Sequence, residues 1–299
     1  MKALDNYFYS HAVKDNKQTK FENKRWTDWF VDSEMIFSYR KNYYNRETFT
    51  EGLHTHNYFE LLFYVKGDVE YIQNDKIVRS EPYTVLCFQP GTMHTARLVS
   101  DSEYERYVLY FSKEFFLHEN EIVPMLDFIK EKSTFAFCSN TETSEKLYNL
   151  FKKTKNIIMS EKPYRRLLAK SFILEIFGLL NSSENDTVAE KTMNDKITII
   201  KNYIDEKYAE INNINEIAGE FFYSREHISR EFKRKFNISV SEYLSKRRIM
   251  ESLKFLPDMT IAEACYSVGF KSQSAYISAF VKNIGCLPGE YKKRKKYKF

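Results

Sequence analysis

The sequence predicts an α+β protein with a β-rich N-terminal half and an entirely helical C-terminal third. Short runs of β-branched and aromatic residues, separated by turn residues, follow one another between residues 37 and 111. Apolar residues at helical spacing replace them from residue 144 onward. In the C-terminal third, one pattern of paired helices occurs twice. Together these observations predict a β-barrel or sandwich followed by helices.

The composition is that of an ordinary globular chain large enough for two domains. The 299 residues are 43% hydrophobic and 29% charged and include only 8 Gly and 6 Pro, which excludes the disordered and collagen-like classes. The first residues lack the apolar core of a signal peptide. No apolar run reaches the roughly 18 residues of a membrane helix. We therefore expect a cytoplasmic protein without a membrane partner.

The cysteines give no sign of a metal centre. The four cysteines are far apart, form no C-x-x-C pair and have apolar neighbours. They are Cys87, Cys138, Cys265 and Cys286. This usage is typical of small buried residues in a reducing compartment. We expect free thiols and no cofactor.

Four runs in the N-terminal half have the composition of strands, at residues 58–65, 69–73, 84–89 and 104–111. Turn residues separate them at Gly67-Asp68, Asn74-Asp75 and Pro90-Gly91. Regular short strands of this kind favour a barrel or sandwich.

Histidines and a carboxylate recur around the first of these strands. The pattern is His54-x-His56-x-x-x-Glu60, followed later by Pro90-Gly91-x-x-His94. If residues 54–60 are extended, alternate side chains share one face, and Tyr58 joins that face. The pattern resembles the two signature motifs of the cupin barrel, although it lacks the asparagine that usually follows the last histidine.

Three interpretations of this cluster are open. As an effector site, His56, Tyr58, Glu60 and His94 are the polar groups of a largely aromatic pocket. As a metal site, His54, His56, Glu60 and His94 would suit Fe, Mn, Ni or Zn. As part of the core, they would only bond one another. We favour the effector site, with no metal bound.

Two amphipathic helices are predicted after the strands, at residues 144–159 and 162–180. Their apolar stripes are Leu147, Leu150, Phe151 and Ile158 on the first helix and Leu168, Phe172, Ile176 and Leu180 on the second. The spacing predicts an antiparallel pair, followed by a polar stretch at 181–194 that resembles a linker.

Basic charge is concentrated after that stretch. From Asp195 to Phe299 there are 20 Lys and Arg against 13 Asp and Glu, a net charge of +7, whereas the preceding residues have a net charge of −2. Such asymmetry indicates a polyanionic partner for one domain, either nucleic acid or an anionic membrane surface.

The basic third contains an internal repeat. Ile214 to Ala218 is echoed 47 residues later by Ile261 to Cys265, and Ser224 is echoed 48 residues later by Ser272. Each copy reads as a short helix, a turn and a second helix opening at the serine, which is a helix-turn-helix. Capping pairs at Asn213, Ser239 and Thr260, each with Glu three residues later, support the helix starts. One long helix, 240–256, joins the copies.

The residues of this region resemble the AraC/XylS family of bacterial transcription regulators. The match runs from residue 196 to 293 through Ser224, Ile228, Arg230, Phe232, Tyr243, Arg247, Gly269, Phe280, Gly285, Pro288 and Tyr291. The resemblance implies a double helix-turn-helix domain whose two second helices enter successive major grooves of double-stranded DNA.

The outward faces of the two recognition helices supply the candidate DNA-binding residues. On the first helix, 224–235, they are Arg225, Glu226, Ser229, Arg230 and Lys233. We expect an arginine to read guanine, and Lys233 with Arg234 to hold phosphate. On the second helix, 272–282, they are Lys271, Gln273, Ser274, Ile277 and Ser278. Ser278 and Val281 stand where the family commonly has Arg and Lys, so we expect the first unit to contribute most of the affinity.

The chain is therefore predicted to be a ligand-responsive transcription regulator and not an enzyme. We divide it into a cupin-like sensor (1–135), a helical dimerisation region with linker (136–194) and the DNA-binding domain (195–299). The resemblance implies a homodimer formed through 144–180, an activator that contacts RNA polymerase, and a small-molecule effector, a sugar being one candidate class. The alternatives are a metal-dependent cupin enzyme with a DNA-targeting domain and a ligand-independent DNA-binding regulator.

Overall fold

The computed structural model describes residues 26–31, 35–47, 49, 52–56, 58–73, 76–112, 115, 136–138, 141–182, 186–187, 191–193 and 195–296. The α+β prediction is confirmed, since strands precede the helical C-terminal third. The strands are β1 (Trp26–Val31), β2 (Met35–Tyr44), β3 (Phe59–Lys66), β4 (Val69–Gln73), β5 (Lys76–Arg79), β6 (Val85–Phe88), β7 (His94–Leu98), β8 (Ser102–Phe111), β9 (Ala136–Cys138), β10 (Asp186–Thr187) and β11 (Lys191–Thr192). The predicted turn at Asn74-Asp75 and the side chain of Cys138 lie outside the described residues.

The described strands form two antiparallel sheets. The larger has the order β1-β2-β8-β3-β6-β9-β10 and the smaller has the order β11-β5-β4-β7. Side chains alternate between the two faces of each strand. Those on one face of the larger sheet pack on the smaller sheet. Their shared core contains Leu62, Tyr64, Tyr104 and Val108 from the larger sheet and Val69, Tyr71, Ala96 and Leu98 from the smaller.

The other face of the larger sheet packs against two helices, α1 (Thr141–Ile158) and α2 (Arg165–Ser182). The stripe predicted for α1 is buried as expected. The stripe predicted for α2 is right only in part: Ile176 is buried and Phe172 and Leu180 pack at the margin of the core, but the fully buried face also includes Ala169, Ile173 and Phe177. Apolar residues occur on nearly every side of α2, so the spacing alone does not decide which side faces the sheet.

The polar stretch after α2 is fastened to both sheets. β10 pairs with β9 at the edge of the larger sheet, and β11 pairs with β5 at the edge of the smaller. Met193 is buried in the hydrophobic cluster of the following domain. Among the residues described, this segment therefore contacts both halves of the chain.

The C-terminal region consists of seven helices: α3 (Lys196–Lys207), α4 (Ile214–Glu220), α5 (Arg225–Phe236), α6 (Val240–Phe255), α7 (Ile261–Ser267), α8 (Gln273–Ile284) and α9 (Pro288–Lys296). One core contains residues of α3 to α6 and another contains residues of α6 to α9. The two helix-turn-helix units thus have separate cores, and α6 contributes to both.

The predicted caps are largely confirmed. Ser224 and Ser272 accept hydrogen bonds from backbone amides at the starts of α5 and α8. Asn237 and Gly285 end these helices in the left-handed conformation, at φ 52° and 79°. Both halves of a capping box are present at Thr260. At Asn213 and Ser239, only the hydrogen bond from a backbone amide to the capping side chain forms. Asn213 accepts this bond from the amide of Asn215.

Candidate effector site and nucleic-acid interface

The five residues of the predicted cluster come together at one end of the sheets. The proposed extended segment 54–60 is wrong in part, because the strand begins only at Phe59. His54 instead forms an isolated bridge with His94, in which each backbone N–H donates to the other carbonyl at 2.9 Å. Glu60 lies on β3, so a strand and a loop meet at this point.

Glu60 is the centre of the cluster. Its Oε2 accepts hydrogen bonds from Nε2 of His56 at 2.8 Å and from Nε2 of His94 at 3.1 Å. The three residues are buried, with 4%, 5% and 3% of their surface exposed for Glu60, His56 and His94. A buried carboxylate is tolerated when charged or polar donors surround it, and two imidazoles do so here.

These contacts determine the ionisation of Glu60. Burial by itself would raise the pKa of this carboxyl, but the hydrogen bonds from His56 and His94 outweigh burial and hold the pKa well below its ordinary range. The neighbouring Cys87 shows the opposite effect. Its burial and the charge of Glu60 raise the pKa of the thiol to about 12, so Cys87 stays protonated.

Aromatic rings enclose the cluster. Tyr58 stacks on His56 with ring centroids 4.2 Å apart, and Phe88 stacks on His94 at 4.1 Å. Tyr110 meets the rings of His56 and Tyr58 edge-on. The sequence did not single out Phe88 and Tyr110. Both lie directly opposite Glu60 in the sheet, a relation that only the strand pairing reveals.

The second nitrogen of each imidazole is also engaged. Nδ1 donates to a backbone carbonyl in all three rings: from His54 to Gly52 at 2.9 Å, from His56 to Tyr58 at 2.9 Å and from His94 to Thr92 at 3.0 Å. A carbonyl oxygen only accepts, so each Nδ1 carries a proton. In His56 and His94, Nε2 is therefore the nitrogen that faces Glu60.

This protonation pattern bears on metal binding. A divalent cation bound at Nε2 of these rings would meet neutral imidazoles whose Nδ1–H is bonded to a carbonyl, the usual support for metal-ligating histidines. The ligand atoms of His54, Glu60 and His94 lie within 4.8 Å of one another. The donor set therefore fits a transition metal as well as a polar effector group.

The first recognition helix, α5, has a buried face and an exposed basic face. Ile228, Phe232 and Phe236 are fully buried, as predicted. The opposite side carries the five predicted DNA-binding residues, of which Ser229 is half-buried and the others are exposed: Arg225, Glu226, Ser229, Arg230 and Lys233. The helix thus presents charged side chains to solvent along its whole length.

Glu231 orients two arginines on this face. Its carboxylate accepts from Nε of Arg230 at 3.3 Å and pairs with Arg234. The side chains of Arg230 and Arg234 are 70% and 77% exposed. Exposed ion pairs contribute little to stability. Both arginines can therefore exchange Glu231 for a base edge or a phosphate.

Other cations of the domain serve its internal structure. Arg248 donates to the carbonyls of Tyr208 and Ile211 at 2.8 and 2.5 Å. Arg247 pairs with Glu251 on α6, and Lys201 is buried against Asp205 at 2.7 Å. The net positive charge therefore overstates what is available for a polyanion.

The second recognition helix, α8, repeats this design with fewer charges. Tyr276 and Phe280 are fully buried, as predicted. Ile277 is half-buried, and the remaining predicted residues are exposed: Lys271, Gln273, Ser274 and Ser278. Lys282, near its end, donates to Glu242 of α6 at 3.0 Å.

Within the part of the chain that the structure describes, no helix combines the length and hydropathy needed to span a bilayer.

Known proteins match both halves of the chain. Residues 36–177 match the family described as AraC-like ligand binding domain, and residues 217–294 match a helix-turn-helix domain family. The Msm operon regulatory protein of Streptococcus mutans is 28% identical over 139 residues, 46% of this chain and 48% of that protein. The chain therefore spans about half the length of that relative.

Two further proteins are similar over most of the chain. The uncharacterized HTH-type transcriptional regulator YdeC of Bacillus subtilis is 24% identical over 254 residues, 81% of this chain and 86% of that protein. A crystal structure of an apo variant of ToxT from Vibrio cholerae covers 85% of this chain and 97% of its own, with 15% identity and a TM-score of 0.37. From the ligand-binding and helix-turn-helix matches together, the chain belongs to the AraC family of transcription regulators.

Proposed function

We propose that the chain is a sequence-specific regulator of transcription whose N-terminal domain senses a small molecule. The observation that carries the proposal is the pair of helices α5 and α8, each buried on one side and presenting the predicted DNA-binding residues on the other. Arginines such as Arg225 and Arg230 suit guanine edges, and Lys233 suits phosphate. The proposed units are residues 1–135, 136–194 and 195–299, acting in the cytoplasm on double-stranded DNA.

The effector site of this proposal is the cluster around Glu60. The effector's polar group would exchange hydrogen bonds with Glu60, His56 or His94, and the rings of Tyr58 and Phe88 would cover its apolar part. A sugar is one candidate, because aromatic faces stack on sugar rings. We further propose an activator of a metabolic operon that contacts RNA polymerase; one relative is named as the regulatory protein of an operon.

The proposed homodimer uses the outer face of α2. Leu167 is 71% exposed there, and Tyr164, in the turn just before the helix, is 50% exposed. The face continues through Ser171 and Gly178, and a Cβ at Gly178 would meet nothing within 4 Å. Exposed apolar side chains beside small residues suit a second helix, since apolar surface of this kind is costly in water. The alternative is that the pair α1–α2 serves only to pack on the sheet.

The deciding experiment is an in vitro selection of genomic fragments by the purified protein at about 150 mM salt, where non-specific phosphate binding is weak. We expect enrichment of paired sites one helical turn apart. The genes beside them would indicate the effector class, to be tested by the rise in melting temperature that a bound ligand causes. No enrichment, with or without a metabolite panel, would contradict the regulator, and no stabilisation by any metabolite would favour a ligand-independent one.

The second candidate is a metal-dependent cupin enzyme that its helix-turn-helix domain directs to DNA. The observation that favours it is that His54, Glu60 and His94 bring ligand atoms within 4.8 Å of one another, while His56 bonds the same carboxylate. Elemental analysis of the purified protein decides: one equivalent of a transition metal, lost in a His56→Ala variant, would support the enzyme, and less than about 0.1 equivalent after incubation with Fe, Mn, Ni and Zn would refute it.

A further inference from the structure

One peptide group of the sensor contacts both the histidine cluster and the first helix-turn-helix unit. It joins Gly52 to Leu53. Its carbonyl oxygen accepts from Nδ1 of His54 at 2.9 Å, and its N–H donates to the carbonyl oxygen of Phe236 at 3.0 Å. Phe236 is the last residue of α5. The ring of His54 and the end of the first recognition helix are thus bonded to opposite sides of a single peptide plane.

Leu53 contacts the first helix-turn-helix unit through its backbone and its side chain. The last carbonyls of a helix lack partners within the helix. Leu53 donates its N–H to one of these carbonyls, that of Phe236 at the end of α5. Its own carbonyl oxygen accepts from Nζ of Lys246 on α6 at 3.4 Å. Its side chain is fully buried in the hydrophobic cluster of the first unit. A sensor residue therefore completes the core of the DNA-binding unit.

The neighbouring backbone fits α5 and α6 closely. A Cβ at Gly52 would lie 2.9 Å from the carbonyl oxygen of Asn237, so only glycine fits there without a shift. A Cβ at Gly91 would lie 3.9 Å from the end of Met250. The N–H of Gly91 donates to the carbonyl of His56 at 2.8 Å. Two loops that carry or support the cluster are thus in contact with the same domain.

We propose that residues 52–56 are an intramolecular docking segment through which occupation of the histidine cluster controls the first helix-turn-helix unit. The proposal rests on the effector role proposed above. A ligand group that bonds His54, or that displaces the His94 ring whose centroid lies 4.4 Å from that of His54, moves the His54 ring, breaks its bond to Gly52 and weakens the bond from Leu53 to Phe236, because hydrogen bonds in a chain strengthen one another. The first unit is then free to change its orientation on DNA.

The test measures amide hydrogen exchange of residues 232–238 in the full-length protein. Leu53→Ser removes the docked side chain, and His54→Ala removes the donor to Gly52 together with the ring that packs on His94. His54→Asn is the matched control, since its side-chain amide can donate from the position of Nδ1. Val69→Ala, a buried change elsewhere in the sensor core, controls for general loosening. Lys246→Met replaces Leu53→Ser if that variant does not fold.

We expect Leu53→Ser and His54→Ala to speed exchange of 232–238 on the order of tenfold, and the two controls to stay near the wild type. Unchanged exchange in His54→Ala would overturn the proposal, as would an equal increase in Val69→Ala. On a DNA fragment selected by the wild type, His54→Ala should change the dissociation constant and His54→Asn should not. Failure to select any fragment would count against the regulator, while the exchange data would still decide the docking.

Discussion

Phe222 occupies, in the first repeat, the turn position that Gly269 occupies in the second. Both have positive φ, 57° and 87°. Phe222 is 95% exposed, so its ring contributes no packing to offset the cost of a left-handed conformation. We expect Phe222→Gly to raise the free energy of unfolding by about 0.5–1 kcal/mol, measured by urea denaturation.

Gly269 provides the contrast for that measurement. A Cβ there would lie 2.3 Å from the carbonyl oxygen of Ala209, which is backbone and cannot swing away. Gly269→Ala should therefore destabilise the protein by about 1–3 kcal/mol or more. Equal stability of Phe222→Gly and the wild type would show that the turn holds no strain in the first repeat.

The charge of Glu60 makes a prediction about pH. Its pKa is lower in the folded chain than its ordinary value of 4.5, so the ionised form stabilises the fold fully above pH 4.5 and progressively less as the pH falls. Glu60→Gln should cost about 3 kcal/mol at pH 7, and the difference from the wild type should shrink as the pH is lowered from 5 to 3. Urea denaturation across this range measures it.

A carboxylate without buried partners serves as the control. Glu142 is exposed at the start of α1, where it pairs with Lys146, and Glu142→Gln should leave stability nearly unchanged at every pH. A Glu60→Gln variant as stable as the wild type at pH 7 would mean that the carboxylate is not ionised in the fold.

At the scale of elements, we expect some residues of α5 to read the bases and others to hold phosphate. Arg230→Ala should weaken binding by about 1–3 kcal/mol and relax the preference at one base pair, whereas Lys233→Ala should weaken all sequences alike and lower the salt dependence. Fluorescence anisotropy on the selected site and on random DNA separates the two. The division fails if both variants lose specific and random binding to the same extent.

The bounds of these helices could be predicted because their signals are local. Ser224 and Ser272 start α5 and α8, and Asn237 and Gly285 end them, each by a bond within a few residues. The inner face of α2 was predicted only in part, since apolar residues surround that helix and the sheet beneath it selects the side.

The candidate site shows the same limit. The spacing in the sequence identified its five residues. How they come together depends on two features of the structure, the bridge between His54 and His94 and the start of β3 at Phe59. The docking of Leu53 on Phe236 joins residues far apart in the sequence. No local sequence pattern predicts such a contact, because the contact depends on how two separately folded cores pack together.

At the scale of the whole molecule, the proposed homodimer can be tested directly at the outer face of α2. If α2 pairs with a second copy, Leu167→Glu places a charge in the apolar interface and should convert a dimer to a monomer, because burying an unpaired charge costs several kcal/mol. Sedimentation velocity measures the change. Tyr43→Glu, at a residue 63% exposed on β2, is the control and should remain dimeric. A Leu167→Glu variant that sediments as the wild type would leave α1 and α2 as a packing layer, and the two DNA-binding domains would then need another route to paired sites.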